Sequence, residues 1–244
     1  MEYLKEFPDN YFDLALVDPP YGEGLASEGG CNGWFSKYHQ TSEKPQKKGG
    51  DRLRFHGRNG SRWNKYLQVD DSKKKIISWD NAPGREYFDQ LFRVSRNQII
   101  WGGNFFELPP TRCFIIWKKL TISENFTMAM AEYAWTSFNE NAKVFECAPQ
   151  GKASDPRFHP TQKPVELYEW VLSRYAKEGD TILDTHCGSA SSLIACRRTN
   201  HKYIGFEVDE TYYAKAKERL ERETAQMNIF DLEKQMAVFD LVED

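Results

Sequence analysis

The stretch Thr181-Ile182-Leu183-Asp184, together with the turn after it, constrains the fold more than any other part of the chain. The tetrapeptide reads as a buried strand, and Thr185-His186-Cys187-Gly188-Ser189-Ala190-Ser191-Ser192 as a small-residue turn into a helix from Leu193 to Arg198. The next strand, Tyr203-Ile204-Gly205-Phe206, ends in Glu207. A strand, a tight turn and a helix N-terminus form the cofactor-binding arrangement of Rossmann-like sheets, with amide donors and the positive end of the helix dipole facing the ligand. Glu207 comes 23 positions after Asp184. An acidic residue there, at the end of the second strand, is placed to accept hydrogen bonds from ribose hydroxyls. Alone, this unit implies an adenosine-type cofactor and nothing narrower.

A second strand end carries different chemistry. The apolar run Phe12-Asp13-Leu14-Ala15-Leu16-Val17 reads as a buried parallel strand and closes in Asp18-Pro19-Pro20-Tyr21. Open α/β sheets bind ligands at the carboxyl ends of their strands. Two prolines fix φ and remove amide donors, leaving a stiff turn with free carbonyls, one carboxylate and one aromatic face. That set suits the gripping of an exocyclic amino group, whose two hydrogens are accepted by the carboxylate and a proline carbonyl while the ring stacks on the base. A strand-end turn with a buried Tyr is the structural alternative for these four residues alone.

With 244 residues, 40% of them hydrophobic, the chain can bury one α/β core without a second domain. No apolar run reaches membrane-spanning length and residues 1–8 carry no signal-peptide pattern, so a soluble cytoplasmic protein is expected. The five cysteines include no C-x-x-C pair, which argues against a zinc knuckle or a disulfide framework. A net charge of -3 hides an asymmetry, because Lys37 to Lys75 holds twelve Lys or Arg against four Asp or Glu.

The basic stretch lies in a polar segment from Gly22 to Lys75 without a sustained apolar period. A loop of that length inside a compact domain is usually functional or disordered. Trp34, Tyr38, His39, Phe55, Trp63 and Tyr66 are interleaved with its cations, a mixture suited to phosphates and unstacked bases. A short helix is expected before Pro8, then helices near Arg85 to Val94, from Pro164 to Tyr175 and from about Glu210 to Glu223. Further strands are expected at Gln98 to Trp101, Cys113 to Trp117, Glu132 to Ser137 and Ala142 to Glu146. The strand at Gln98 ends in Gly102-Gly103-Asn104-Phe105-Phe106, where a ligand can approach backbone.

In order, the chain holds Asp18-Pro19-Pro20-Tyr21, then His159-Pro160-Thr161-Gln162-Lys163-Pro164, then the Asp184 to Ser189 turn, then Glu207. That order resembles the permuted, β-class S-adenosylmethionine-dependent DNA amino-methyltransferases. The segments Trp101 to Phe106 and Glu132-Tyr133-Ala134-Trp135-Thr136 resemble phage and prophage members that methylate adenine. The resemblance covers most of the chain. It implies an α/β, Rossmann-like methyltransferase fold with a mostly parallel, doubly wound sheet. The implied organisation is one methyltransferase domain over residues 1–225, a basic loop insertion at about 22–75, and a tail at 226–244.

By the same resemblance, Asp18 and the Pro19 carbonyl would hold the adenine N6 amino group, next to Pro20, with Tyr21 stacked on a base flipped from double-stranded DNA. Cofactor binding would fall to Asp184, His186, Gly188 and Ser189 around the methionine part and Glu207 at the ribose. Thr161 and Lys163 would meet the carboxylate end, with Asp18 at the border of both sites. No metal and no covalent nucleophile are needed for an in-line transfer from an activated sulfonium. None of the cysteines follows a proline, which disfavours cytosine C5 methylation through a Pro-Cys nucleophile.

Two features depart from the family pattern D-P-F-x-G-S-G: His186 stands for Phe and Ala190 for the last Gly. The strand that usually precedes the helix at Met1 is also missing, so a late start or a truncated chain without that edge strand is expected. The tail repeats itself, Gln226-Met227-Asn228-Ile229-Phe230-Asp231-Leu232 returning as Gln235-Met236-Ala237-Val238-Phe239-Asp240-Leu241. Each copy resembles the Gln-Leu-x-Leu-Phe peptide that docks on bacterial sliding clamps, so Gln226 to Phe230 or Gln235 to Phe239 is a candidate clamp contact. The expected activity is adenine-N6 methylation of DNA. The alternatives are cytosine-N4 methylation and a non-catalytic DNA- or clamp-binding relative.

Overall fold

The computed structural model describes residues 2–22, 81–124, 129–149 and 155–240, with side chains as far as 225. Two compact units are distinguished, one of residues 1–19 with 83–244 and one of residues 20–82. The basic segment expected to contact nucleic acid lies, apart from Gly22, outside the described residues. Within the second unit, Gly22 adopts φ +77°, and a Cβ placed on it would meet the Ala82 nitrogen at 3.1 Å.

The larger unit begins with α1 (Glu2–Lys5), β1 (Phe12–Val17), α2 (Arg85–Val94) and β2 (Ser95–Trp101). It continues through β3 (Phe114–Lys119), β4 (Ala131–Thr136) and β5 (Lys143–Cys147) to α3 (Val165–Tyr175). The cofactor-type unit comes next as β6 (Thr181–Asp184), α4 (Ser191–Arg198) and β7 (Lys202–Gly205), and α5 (Glu210–Asp240) closes the chain. The seven strands form one sheet in the order β5-β3-β4-β2-β1-β6-β7. Every neighbouring pair is parallel except β2 with β4 and β3 with β4.

Strands buried on both faces explain the near-continuous apolar runs read from the sequence. In β1, Leu14 and Leu16 pack on one face with Ile99, Trp101, Ile182 and the α3 residues Leu167, Val171 and Leu172. Ala15 and Val17 pack on the other with Ile100, Leu183 and the α2 residues Tyr87, Phe88 and Leu91. Helices on both faces of a mostly parallel sheet make the unit doubly wound, as a Rossmann-like methyltransferase requires.

One strand direction decides where the site is built. Because β4 runs against its neighbours, Glu132 near its amino-terminal end lies opposite Trp117 near the end of β3. Glu132 therefore shares the carboxyl edge of the sheet with Lys119, with Asp18 just past β1, and with Asp184 at the end of β6. Helix α5 also differs from expectation: it runs to Asp240 instead of stopping near Glu223, so residues 226–240 continue the helix.

Candidate active site

Asp18 leaves β1 half-buried and Pro19 is buried behind it. The Lys163 ammonium pairs with the Asp18 carboxylate and, at 3.2 Å, with Glu132 Oε2. Glu132 Oε1 in turn takes the Lys119 ammonium at 2.6 Å. Lys163 and Lys119 are 5% and 6% exposed, so the four alternating charges form a chain whose ammonium groups are buried and whose carboxylates keep some solvent contact. Burial pushes the Lys163 ammonium down, but Asp18 and Glu132 outweigh it and hold its pKa above the ordinary value. Burial likewise raises Glu132, and the two lysines more than reverse that, keeping it below the usual carboxylate range.

The cofactor turn is assembled by backbone hydrogen bonds. Phe206 N donates to Asp184 O at 2.9 Å and Cys187 N to Phe206 O at 3.0 Å, locking the ends of β6 and β7 together. Gly188 N donates to Glu207 Oε2 at 2.9 Å and Asp209 N to Glu207 Oε1 at 2.8 Å. Ala190 then caps α4 in the left-handed region, φ 61° and ψ 24°, with no side-chain cap bond. The first amides of α4 therefore receive no side-chain oxygen at the cap, a disposition suited to an anionic or polar ligand group.

Asp184 is nearly fully buried and accepts from His186 N at 3.0 Å and from the Ser192 hydroxyl. Burial dominates these bonds, and the carboxyl is pushed up to about 7. A cationic ligand beside it would restore the carboxylate, and the sulfonium and ammonium of S-adenosylmethionine supply that charge. The donor set fits that cofactor, with a buried acid, an amide-lined turn, a helix N-terminus and Glu207 at the end of β7.

The His186 ring makes an edge contact with Tyr87, ring centroids 5.5 Å apart. Its Nδ1 lies 2.9 Å from the Thr185 hydroxyl, which meets Tyr87 Oη at 2.6 Å. Burial lowers His186 to about 4, so the ring is neutral at physiological pH. Burial and the charge of Asp184 push the Cys187 thiol well above the usual range, leaving it an inert thiol beside the turn.

The His159 to Pro164 hexapeptide packs onto this turn. A Cβ on Gly188, itself at φ +51°, would lie 3.2 Å from the His159 ring. That ring makes an edge contact with Tyr212 of α5 at 4.3 Å, and its Nδ1 lies 3.2 Å from the Thr161 hydroxyl. Burial, then the Lys163 and Arg157 charges, lower His159 to about 4. Of the residues named from sequence, Asp184, His186, Gly188, Ser189 and Glu207 thus come together, and Thr161 joins them through His159. Lys163 instead points at Asp18. Pro20 and Tyr21 open the second unit.

Four neighbours of these residues are not named as site residues from the sequence, although Glu132 opens the segment 132–136 singled out there. Glu132 and Lys119 complete the charge chain. Arg219 of α5 pairs with Asp155 and donates to Ser189 O at 2.7 Å and Ser191 Oγ at 2.9 Å, holding the cofactor turn from behind.

Comparison with known proteins identifies the family. A DNA methylase family model, covering N6 and N4 methyltransferases, matches residues 12–218. The type II methyltransferase M2.DpnII of Streptococcus pneumoniae is 40% identical over 247 residues, spanning 91% of this chain and 87% of that protein. M.HpaI of Haemophilus parainfluenzae, another type II methyltransferase, shares a shorter stretch. It is 42% identical over 65 residues, which is 27% of this chain and 21% of that protein. Among solved structures, the cytosine-N4-specific PvuII DNA methyltransferase superposes with a TM-score of 0.51 at 13% identity, covering 92% of this chain and 87% of that one. At that identity the likeness concerns the fold alone.

Proposed function

The chain belongs to the DNA methylase family, whose members transfer methyl groups from S-adenosylmethionine to exocyclic amines of DNA, and we propose that its target is the N6 amino group of adenine. The observation that carries this reading is the placement of Asp18. Its carboxylate stands at the carboxyl edge of the sheet, held by Lys163, just past β1, the strand that pairs in parallel with β6, which ends in Asp184. An amine acceptor and a cofactor cradle on one sheet edge are what methyl transfer to an amino group requires.

In this proposal the target base leaves the duplex at a cost of a few kcal/mol. Stacking on Tyr21 recovers about 1–3 kcal/mol. Asp18 and the Pro19 carbonyl accept the two amino hydrogens. That favours the pyramidal, more nucleophilic nitrogen and stabilises the charge that develops on it. The cofactor supplies an activated methyl on its sulfonium. Asp184 balances that positive charge, Glu207 accepts from ribose hydroxyls, and Gly188, Ser189, His186 and Thr161 shape the turn around the remainder. The basic segment at about 22–75 supplies phosphate contacts, and the proposed target site is short or loosely specified. The working compartment is the cytoplasm of a bacterial or phage-infected cell.

Adenine is favoured over cytosine by the Asp18-Pro19-Pro20-Tyr21 motif and by the segments 101–106 and 132–136, which resemble adenine enzymes. Hydrolysing methylated DNA to nucleosides tests the choice: N6-methyladenine is expected, and N4-methylcytosine would overturn it. A separate proposal concerns the tail, where Gln226 to Phe230 or Gln235 to Phe239 would bind a bacterial sliding clamp as an extended peptide. Since residues 226–240 lie within α5, that binding requires the segment to leave the helix. Competition with a known clamp peptide tests it, and no displacement by a peptide of residues 226–244 would remove it.

A further inference from the structure

We infer that Glu132, backed by Lys119, is a positioning residue for the Asp18 carboxylate, acting through the Lys163 ammonium that Glu132 and Asp18 share. The inference rests on the reading of Asp18 as the acceptor of the target amino hydrogens, and it identifies the part of the fold that aims that acceptor.

Four separate segments contribute to the arrangement. Asp18 follows β1, Lys119 ends β3, Glu132 lies at the start of the antiparallel β4, and Lys163 comes from the loop before α3. Glu132 divides its oxygens, Oε1 to Lys119 at 2.6 Å and Oε2 to Lys163 at 3.2 Å. Lys163 then reaches Asp18, while its ammonium lies 5.5 Å from the centroid of the buried Trp101 ring. Lys119 is held in the same way, 5.1 Å from the Trp117 ring centroid. Each ammonium is thus fixed by a carboxylate and an indole.

An ion chain with its ammonium groups buried is a poor device for stability, because apolar side chains of similar volume do as well without the desolvation cost. Its location argues for another purpose, since one end is the acidic residue of the motif. A lysine ammonium is a point charge on a flexible stem and by itself imposes no direction on its partner. A second carboxylate on its far side turns it into a strut. Lys119 balances the extra negative charge, so the four groups sum to zero. Acceptors aimed before the substrate arrives require no reorganisation in the transition state.

The test uses the full-length protein and three variants, Asp18→Ala, Glu132→Gln and the double variant Lys119→Met with Glu132→Gln. Each is assayed for kcat and KM on duplex DNA, for S-adenosylmethionine binding by calorimetry, and for melting temperature. Glu132→Gln is expected to lower kcat by about a hundred-fold, the cost of a misplaced reacting group, with the cofactor Kd and the DNA KM at their wild-type values. The double variant, which also removes the unpaired ammonium, is expected to regain the melting temperature and not the kcat. A double variant with wild-type kcat, beside an inactive Asp18→Ala, would overturn the strut and leave the role of Asp18 standing. A loss confined to cofactor affinity would also overturn it. Activity surviving in Asp18→Ala would instead overturn the reading of Asp18 itself.

Discussion

The Arg219 guanidinium donates to the Ser189 carbonyl at 2.7 Å, so α5 holds the turn between β6 and α4. Arg219 is 2% exposed and is anchored by Asp155 through Nε at 2.8 Å and through Nη2. Arg219→Ala removes both the anchor and the turn contact. It is expected to cost about 3 kcal/mol, the low end for a broken buried pair because Asp155 retains some solvent. Cofactor affinity should fall with it. Arg219→Lys keeps the charge and loses the two-pronged geometry, and is expected to lie between the two. Chemical denaturation and calorimetry measure both effects.

Ala190 occupies a left-handed position, φ 61°, for which the family pattern has Gly. The left-handed region costs an ordinary residue about 1–2 kcal/mol, partly offset by the entropy glycine loses on folding. Ala190→Gly is therefore expected to stabilise the apoprotein by about 0.5–1 kcal/mol. A lower melting temperature in this variant would show that the turn is shaped by something other than backbone preference.

Gly188 shows the converse. At φ +51°, with the His159 ring 3.2 Å from where a Cβ would stand, Gly188→Ala meets both backbone strain and a steric neighbour. A loss of about 1–2 kcal/mol is expected from the backbone alone. A larger loss should appear in cofactor affinity, because the Gly188 amide also orients Glu207. Equal affinity in variant and wild type would separate this turn from the cofactor site.

Asp184 links cofactor binding to pH. Its folded pKa of about 7 lies above the unfolded value of 3.8, so folding favours its protonated form. That contribution is fully present below the unfolded value and is lost as pH rises through 7. At pH 8 the buried carboxylate costs the apoprotein at most about 4 kcal/mol. Asp184→Asn should thus equal or exceed the wild type in apoprotein stability at pH 8 while binding S-adenosylmethionine poorly. Since a cationic ligand favours the carboxylate, wild-type binding should tighten from pH 6 to 8 and release a proton. Calorimetry in buffers of different ionisation enthalpy would detect that release, and identical heats across buffers would contradict it.

Much of the sheet is legible in the sequence because its strands are buried on both faces and therefore read as apolar runs. Phe12–Val17, Thr181–Asp184 and the helix Arg85–Val94 lie where the sequence places them. The position of β4 between β3 and β2 is not legible, since antiparallel pairing of distant segments leaves no local pattern. That placement brings Glu132 to the site, and so hides its partnership with Lys119 and Lys163. Arg219 and Asp155 are hidden for a related reason: in sequence, a helical arginine 64 residues from its partner is indistinguishable from a surface charge. The expected end of α5 near Glu223 falls short, because the tail repeat points to an extended peptide, although residues 224–240 contain neither Gly nor Pro to stop a helix.

Methyl transfer from labelled S-adenosylmethionine to unmethylated duplex DNA, run beside Asp18→Ala, tests the central claim most directly. Label on adenine in the wild type, abolished in a folded Asp18→Ala variant, is the predicted result. Label that persists in Asp18→Ala, or no label from a folded protein that binds the cofactor, would contradict it.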